Sequence, residues 1–144
     1  MAITQLSVFL ENTAGTLYDA VTAITEAGVN IRALSVADTK DFGILRIIVS
    51  DTEKTKAALD KNLLVKETPV IAVRMNDKEG ALRDVLHILR ADNVNVEYVY
   101  AFTGITQGNA YVVLRVDDTD EAEKILAKNN IKSLGNEDIK DLLN

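Results

Sequence analysis

Short stretches of strictly alternating apolar and polar residues trade places along this chain with stretches whose apolar residues recur every three or four positions. Leu6, Val8 and Leu10 alternate with Gln5 and Ser7, which predicts a strand over 3–10. A helix is expected to open at Asn12 or Thr13 and run to Ala27, with Leu17, Val21 and Ile24 on one face and Gly28 as its stop. Residues 31–37 and 43–49 read as two further strands, joined by the polar turn Asp38-Thr39-Lys40-Asp41. Asp51 and Thr52 cap a second helix reaching Lys61, and 63–67 supply a last strand. The order is β-α-β-β-α-β. The pattern then runs again: a strand over 70–75, a helix over 79–92 with Leu82, Val85, Leu86 and Leu89 as its core face, strands over 96–102 and 109–116, a helix capped near Asp118 and ending at Asn129, and a strand over 131–134. A short helix from Asn136 closes the chain.

The repetition is literal. Asn12-Thr13-Ala14-Gly15-Thr16-Leu17 lines up with Asp77-Lys78-Glu79-Gly80-Ala81-Leu82 at a register of 65 residues, and the same register carries Gly28-Val29-Asn30-Ile31 onto Asn93-Val94-Asn95-Val96 and Gly43 onto Gly108. An internal duplication decides the architecture before any single element does. Each β-α-β-β-α-β copy predicts an α+β, ferredoxin-like module, an antiparallel sheet with both helices on one face. The one proline, Pro69, punctuates the join, so the modules are expected at 1–68 and 69–144. A lone unit of about 70 residues buries roughly 60% of its unfolded surface and the whole chain close to 70%, so the copies are expected to pack side by side. No Gly/Ser-rich linker separates them, which predicts two units locked together rather than swinging.

Strand parity assigns the faces. Leu6, Val8, Leu10, Leu45, Ile47 and Val49 share one parity, as do Ile71, Val73, Met75, Val112 and Leu114, and these should meet the helices. The opposite parity carries Tyr98, Tyr100, Phe102, Tyr111 and Val113 in the second copy, and Ala33, Ser35, Ala37, Phe9, Ile44 and Ile48 in the first. The aromatic set reads as an exposed contact surface, most simply the interface of a homodimer formed by Tyr98, Tyr100, Phe102 and Tyr111.

Composition narrows the function classes. Asp and Glu total 22 against 16 Lys and Arg, a net charge of −6, so a polyanion is repelled and neither nucleic acid nor an anionic membrane is an expected partner. Stacking of RNA bases on Tyr98, Tyr100 and Tyr111 is the rival reading of the aromatic face, with Arg46, Arg74 and Arg115 as its few cations. The absence of cysteine excludes disulfides, thiolate catalysis and Cys-based metal sites. With no signal-like start and no apolar run near the ~20 residues that cross a bilayer, a cytoplasmic location is the simplest expectation.

No catalytic constellation emerges. His87 falls with Arg83 and Arg90 on the solvated side of its helix, and the carboxylates at Asp51, Glu53, Asp117, Asp118, Asp120 and Glu121 precede helices, where capping explains them. No phosphate-loop, dinucleotide or zinc-protease motif occurs, so no enzyme, metal or cofactor is expected. Gly15 and Gly80 stand where a strand turns into a helix; there the missing side chain would let a ligand's carboxylate approach backbone N–H groups at the positive helix end. Asn12, Asn30 and Asn95 add amide donors and acceptors, and Asp77 an acceptor. The plain alternative is that the glycines only turn the chain and the asparagines only cap it.

The two hexapeptides, with Asn30-Ile31 and Asn95-Val96 after them, resemble the signature of ACT domains, the small regulatory modules of amino-acid metabolism, and the likeness covers nearly the whole chain as two modules. The family's usual Pro is replaced by Ala14 and Glu79. The resemblance implies a free amino acid as effector, held by Asn12, Thr13, Ala14, Gly15, Thr16, Leu17, Asn30 and Ile31 and by Asp77, Lys78, Glu79, Gly80, Ala81, Leu82, Asn95 and Val96. It also implies a metabolic enzyme as the responding partner. Repeat one is expected to be the better site, because Asp77 and Glu79 would repel a ligand carboxylate in repeat two. A ligand-free interaction adaptor is the alternative.

Overall fold

The computed structural model describes residues 2–38, 41–104 and 107–141. The elements follow in the order β1 (Ile3–Glu11), α1 (Thr16–Glu26), β2 (Ile31–Asp38), β3 (Phe42–Val49), α2 (Thr52–Leu59), β4 (Leu64–Asn76), α3 (Ala81–Ala91), β5 (Val96–Ala101), β6 (Asn109–Val116), α4 (Thr119–Lys128), β7 (Ser133–Leu134) and α5 (Asn136–Asp141). The chain separates into two compact units that part between Thr68 and Pro69, with Ile3, the first residue of β1, assigned to the second unit. Two strands expected on either side of Pro69 are one: β4 runs through the proline without interruption. Thr39 and Lys40, the centre of the expected polar turn, lie outside the described residues.

In unit one the strand order is β2-β3-β1-β4, with β1 and β3 antiparallel (Leu6 opposite Ile47, Leu10 opposite Gly43) and β2 antiparallel to β3 (Val36 opposite Leu45). The Ser7 and Thr68 hydroxyls, 3.3 Å apart, mark where β1 meets the first part of β4. Leu6, Val8, Leu10, Leu45, Ile47 and Val49 form the core with Ala20, Ile24 and Leu59 of the helices, as the parity predicts. Unit two repeats the plan as β7-β4-β6-β5, with Ile71, Val73, Val112, Leu114 and Val116 packed against Val85, Leu89, Ile125 and Leu126. Both are ferredoxin-like α+β modules with antiparallel sheets and helices on one face.

The duplication holds at 65 residues only up to the second strand. Leu6 faces Ile47 in unit one and its counterpart Ile71 faces Leu114 in unit two, so the later half of each copy is related by 67 residues. The β5–β6 connection is two residues longer than its counterpart. Gly43 therefore corresponds to Ala110, not to Gly108: Leu10 pairs with Gly43 and Met75 with Ala110, while Gly108 sits in the turn at φ +80.

The buried stripe of α1 also differs from the expectation. Ala20 and Ile24 are buried, Val21 is half-buried, and Leu17 is turned outward. Ala20 and Ile24 hold the inner face of α1 with the half-buried Ala23 beside them, and in α3 the buried set is Ala81, Val85 and Leu89. Three helix ends close through a residue in the left-handed region, Gly28 (φ 74), Asn93 (φ 58) and Asn130 (φ 60). In each, the next amide reaches back five residues to a helix carbonyl: Val29 to Ile24, Val94 to Leu89, Ile131 to Leu126.

Candidate functional site

The loops that lead into α1 and α3 are built alike. Thr13 N–H donates to Glu11 at 2.9 Å and Lys78 N–H to Asn76 at 2.9 Å; Asn12 N–H reaches Asp41 at 3.3 Å and Asp77 N–H reaches Gly108 at 3.1 Å. Each loop ends on a left-handed glycine, Gly15 at φ 90 and Gly80 at φ 83, whose carbonyl accepts the first full helical bond, from Asp19 and Asp84 at 2.9 Å each. A side chain there would meet no atom within 4 Å, so glycine is required by the backbone angle rather than by crowding. The helices consequently start later than the pattern suggests, at Thr16 and Ala81, and Asn12 is not a cap.

A left-handed glycine carries no side-chain acceptor. Among the described residues the amides of Leu17, Tyr18, Leu82 and Arg83 have no acceptor, so α1 and α3 present open N-termini. The other two long helices are closed. Asp51 accepts from Lys54 N–H at 3.0 Å to cap α2, and Asp118 accepts from Glu121 N–H at 3.0 Å to cap α4. Unit one adds a bracing contact: the Thr16 hydroxyl lies 2.7 Å from the Glu11 carbonyl and 3.0 Å from that of Thr13, donating between them. Ala81 offers no equivalent.

A cavity lies against the first turn of each of these helices. In unit one it occupies about 230 Å³ between α1 and α2, bounded by Thr16, Asp19, Ala20, Ala23, Ala58 and Leu59 with Asn62 and Leu63. In unit two a cavity of about 320 Å³ is bounded by the homologous Ala81, Asp84 and Val85, but opens toward the strand ends, over Met75, Asn76, Lys78, Asn109 and Asn130. Asp77 and Glu79, expected to repel a ligand in repeat two, line neither; Lys78 takes that place.

The asparagines are placed differently from the loops. Asn12 N–H donates to the Asp41 carbonyl, just ahead of β3, whereas Asn30 N–H donates to the Ser50 hydroxyl and the Asn30 carbonyl accepts from Ser50 N–H, just past its other end, at 3.0 Å each. The length of β3, at about 3.3 Å per residue, puts roughly 25 Å between them. Within unit one, Asn12 and Asn30 cannot grip one amino acid together. Unit two repeats this: Asp77 meets Gly108 ahead of β6, while Asn95 precedes Val96, which pairs with Val116 at the far end. Ile31 and Val96 are half-buried strand residues at those far ends. Asn12, Thr13, Ala14, Gly15, Leu17, Asp77, Lys78, Glu79 and Gly80 are exposed around the loops, with Thr16 and Leu82 half-buried and Ala81 buried.

The helix-free face of unit two is not the exposed aromatic patch that strand parity suggests. Phe102 and Tyr111 each keep 7% of their surface, with ring centroids 6.1 Å apart, and Val113 is fully buried. Their apolar surface is already removed from water in the single chain. Tyr98 and Tyr100, stacked 6.4 Å apart at 20°, stay half-buried. Arg115 is engaged by Glu97 at 3.1 Å and by the Pro69 carbonyl at 2.7 Å. His87 is exposed on α3, in a shallow recess with Arg83, Leu86 and Arg90. No described helix is long and apolar enough to cross a membrane, and the described residues contain no cluster of three metal-ligating side chains.

Two ferredoxin-like copies in one chain, each turning through a left-handed glycine into an uncapped helix, define a duplicated regulatory-type α+β module. The sequence matches the ACT domain pair family over residues 1–143, and the chain belongs to that family. No curated protein matches it. A crystal structure of a protein from Bacteroides thetaiotaomicron superposes with a TM-score of 0.90 at 35% identity, over 97% of this chain and 96% of that one. The ligand-free regulatory subunit of aspartate kinase from Thermus thermophilus shares the fold at a TM-score of 0.64 and 10% identity, over 87% and 90% of the two chains. Aspartate kinase from Clostridium acetobutylicum shares it at 0.53 and 17% identity, over 87% of this chain and 32% of that one.

Proposed function

We propose that the protein is a non-catalytic cytoplasmic sensor that binds a free amino acid at the loops entering α1 and α3 and regulates an enzyme of amino-acid metabolism. One observation carries the reading: the two helices that follow the duplicated loops have open N-termini, while α2 and α4 are each closed by an aspartate. An uncapped helix end offers N–H donors and a partial positive charge, the complement of a carboxylate. Membership in the ACT domain pair family supports a regulatory role, and the Thermus thermophilus protein of like fold is a regulatory subunit. Calorimetric titration with each of the twenty amino acids tests it. At least one should bind, and Gly15→Val or Gly80→Val should remove binding in its own copy while His87→Ala changes nothing. Failure of every amino acid to bind at millimolar concentration would leave the adaptor reading in its place.

A homodimer on the helix-free face belongs to the same reading. Its support is confined to Tyr98 and Tyr100, the half-buried part of the aromatic set. Sedimentation should show a dimer at micromolar concentration, and Tyr98→Lys with Tyr100→Lys should give a monomer; a monomeric wild type ends the proposal.

A further inference from the structure

The cavity of unit one exists because of three side chains. Ala20, Ala23 and Ala58 line it, and their counterparts in unit two are the larger Val85, Ile88 and Ile125, which pack in the core of that unit. The neighbouring positions have hardly changed: Asp19, Leu59 and Asn62 correspond to Asp84, Leu126 and Asn129. The gap opens to solvent, with Asp19 and Asn62 exposed at its edge and Ala23, Ala58 and Leu63 half-buried, and unit two shows that this framework accepts the larger residues. Between its helices unit one keeps about 230 Å³ open, whereas the cavity of unit two, which Val85 also lines, lies toward the strand ends. The walls are apolar, Ala20, Ala23, Ala58, Leu59 and Leu63, and the polar groups sit at the rim, Thr16 and Asp19 on the first turn of α1 and the exposed Asn62 beyond the end of α2. Among the described residues Asp19 has no ion-pair partner.

We propose that this cavity receives the aliphatic or thioether side chain of a free amino acid, which makes unit one the selective site of the pair. The inference rests on the sensor reading and adds to it the class of effector and the copy that reads it. The ligand carboxylate meets the open amides of Leu17 and Tyr18, its ammonium meets Asp19, and its side chain lies between α1 and α2 in the alanine-lined gap. A side chain ending in an amide or a second carboxylate would leave that group unpaired against apolar walls, the arrangement a binding site rejects most strongly.

The test is calorimetry on the full chain with leucine, isoleucine, valine and methionine against glycine, asparagine and aspartate. The apolar set should bind at least tenfold more tightly. Ala23→Ile with Ala58→Ile, which gives unit one the residues of unit two, should weaken leucine binding at least tenfold while the chain keeps its circular dichroism and melts no lower than wild type. Asp19→Asn, an exposed change that leaves the core alone, should weaken leucine severalfold and leave 4-methylpentanoic acid, which has no ammonium, unaffected. Preference for a polar amino acid, or leucine bound as well by a folded Ile variant as by wild type, overturns the inference and leaves the sensor reading standing. If no amino acid binds the wild type, both fall.

Discussion

Units one and two share their strands, their loops and their left-handed glycines, yet they differ between the helices. Unit two carries Val85, Ile88 and Ile125 there and its cavity lies toward the strand ends; unit one carries alanines and its cavity lies between the helices. The strand pairing and the entry loops are common to both copies, while the helix layer next to the open helix end differs in side-chain size. The framework is common, and what each copy can admit is separate.

Cutting back the filled copy should have the largest effect. Ile125→Ala removes a buried side chain from the unit-two core and should cost about 2–5 kcal/mol in chemical denaturation. The opposite change at the homologous site, Ala58→Ile, should cost less than about 1.5 kcal/mol or stabilise, because the space exists. Equal costs would erase the contrast between the copies.

Next come the features the copies share. Gly15→Val and Gly80→Val each force a branched residue into the left-handed region and should lose roughly 1–2 kcal/mol apiece, by thermal or chemical melting. A large difference between the two would mean that the loops are not equivalent. The caps follow. Asp51→Ala and Asp118→Ala should each cost about 1 kcal/mol without altering amino-acid affinity, since these helix ends are already closed by their own side chains. The smallest effect is expected at the end of α3, where Asn93→Gly installs the residue that unit one has at Gly28 and should stabilise by less than about 1 kcal/mol.

Most of the fold was legible because strand parity and the repeated hexapeptide are local signals. Leu45, Ile47 and Val49 turn inward as their alternation requires, and each helix and strand lies within a few residues of its expected place. What was hidden depended on distance. Asn12 and Asn30 stand at the same offsets from their elements as a joint site would need, but β3 carries them to opposite ends of the sheet. The two extra residues before β6 shifted the copy register and made Gly108 look like the partner of Gly43. Alanine is a weak marker in a hydrophobic pattern, so the periodicity of α1 points to Leu17 where the structure turns Ala20 inward. Ala20 against Val85 and Ala23 against Ile88 were nonetheless visible once the copies were aligned.

On the proposed sensor reading, an effector carboxylate bound at the open amides of α1 and α3 would act as the cap that those helices lack. Without it, the amides of Leu17 and Tyr18 should exchange their protons with water almost as fast as an unstructured peptide, since a helix end spends much of its time frayed. With it, the same amides should fall silent, while the first turns of α2 and α4 keep one rate throughout. Occupancy would then be written as the fraction of time one helical turn stays wound, a signal that needs no displacement of the sheet and can be lost or gained as quickly as the ligand exchanges.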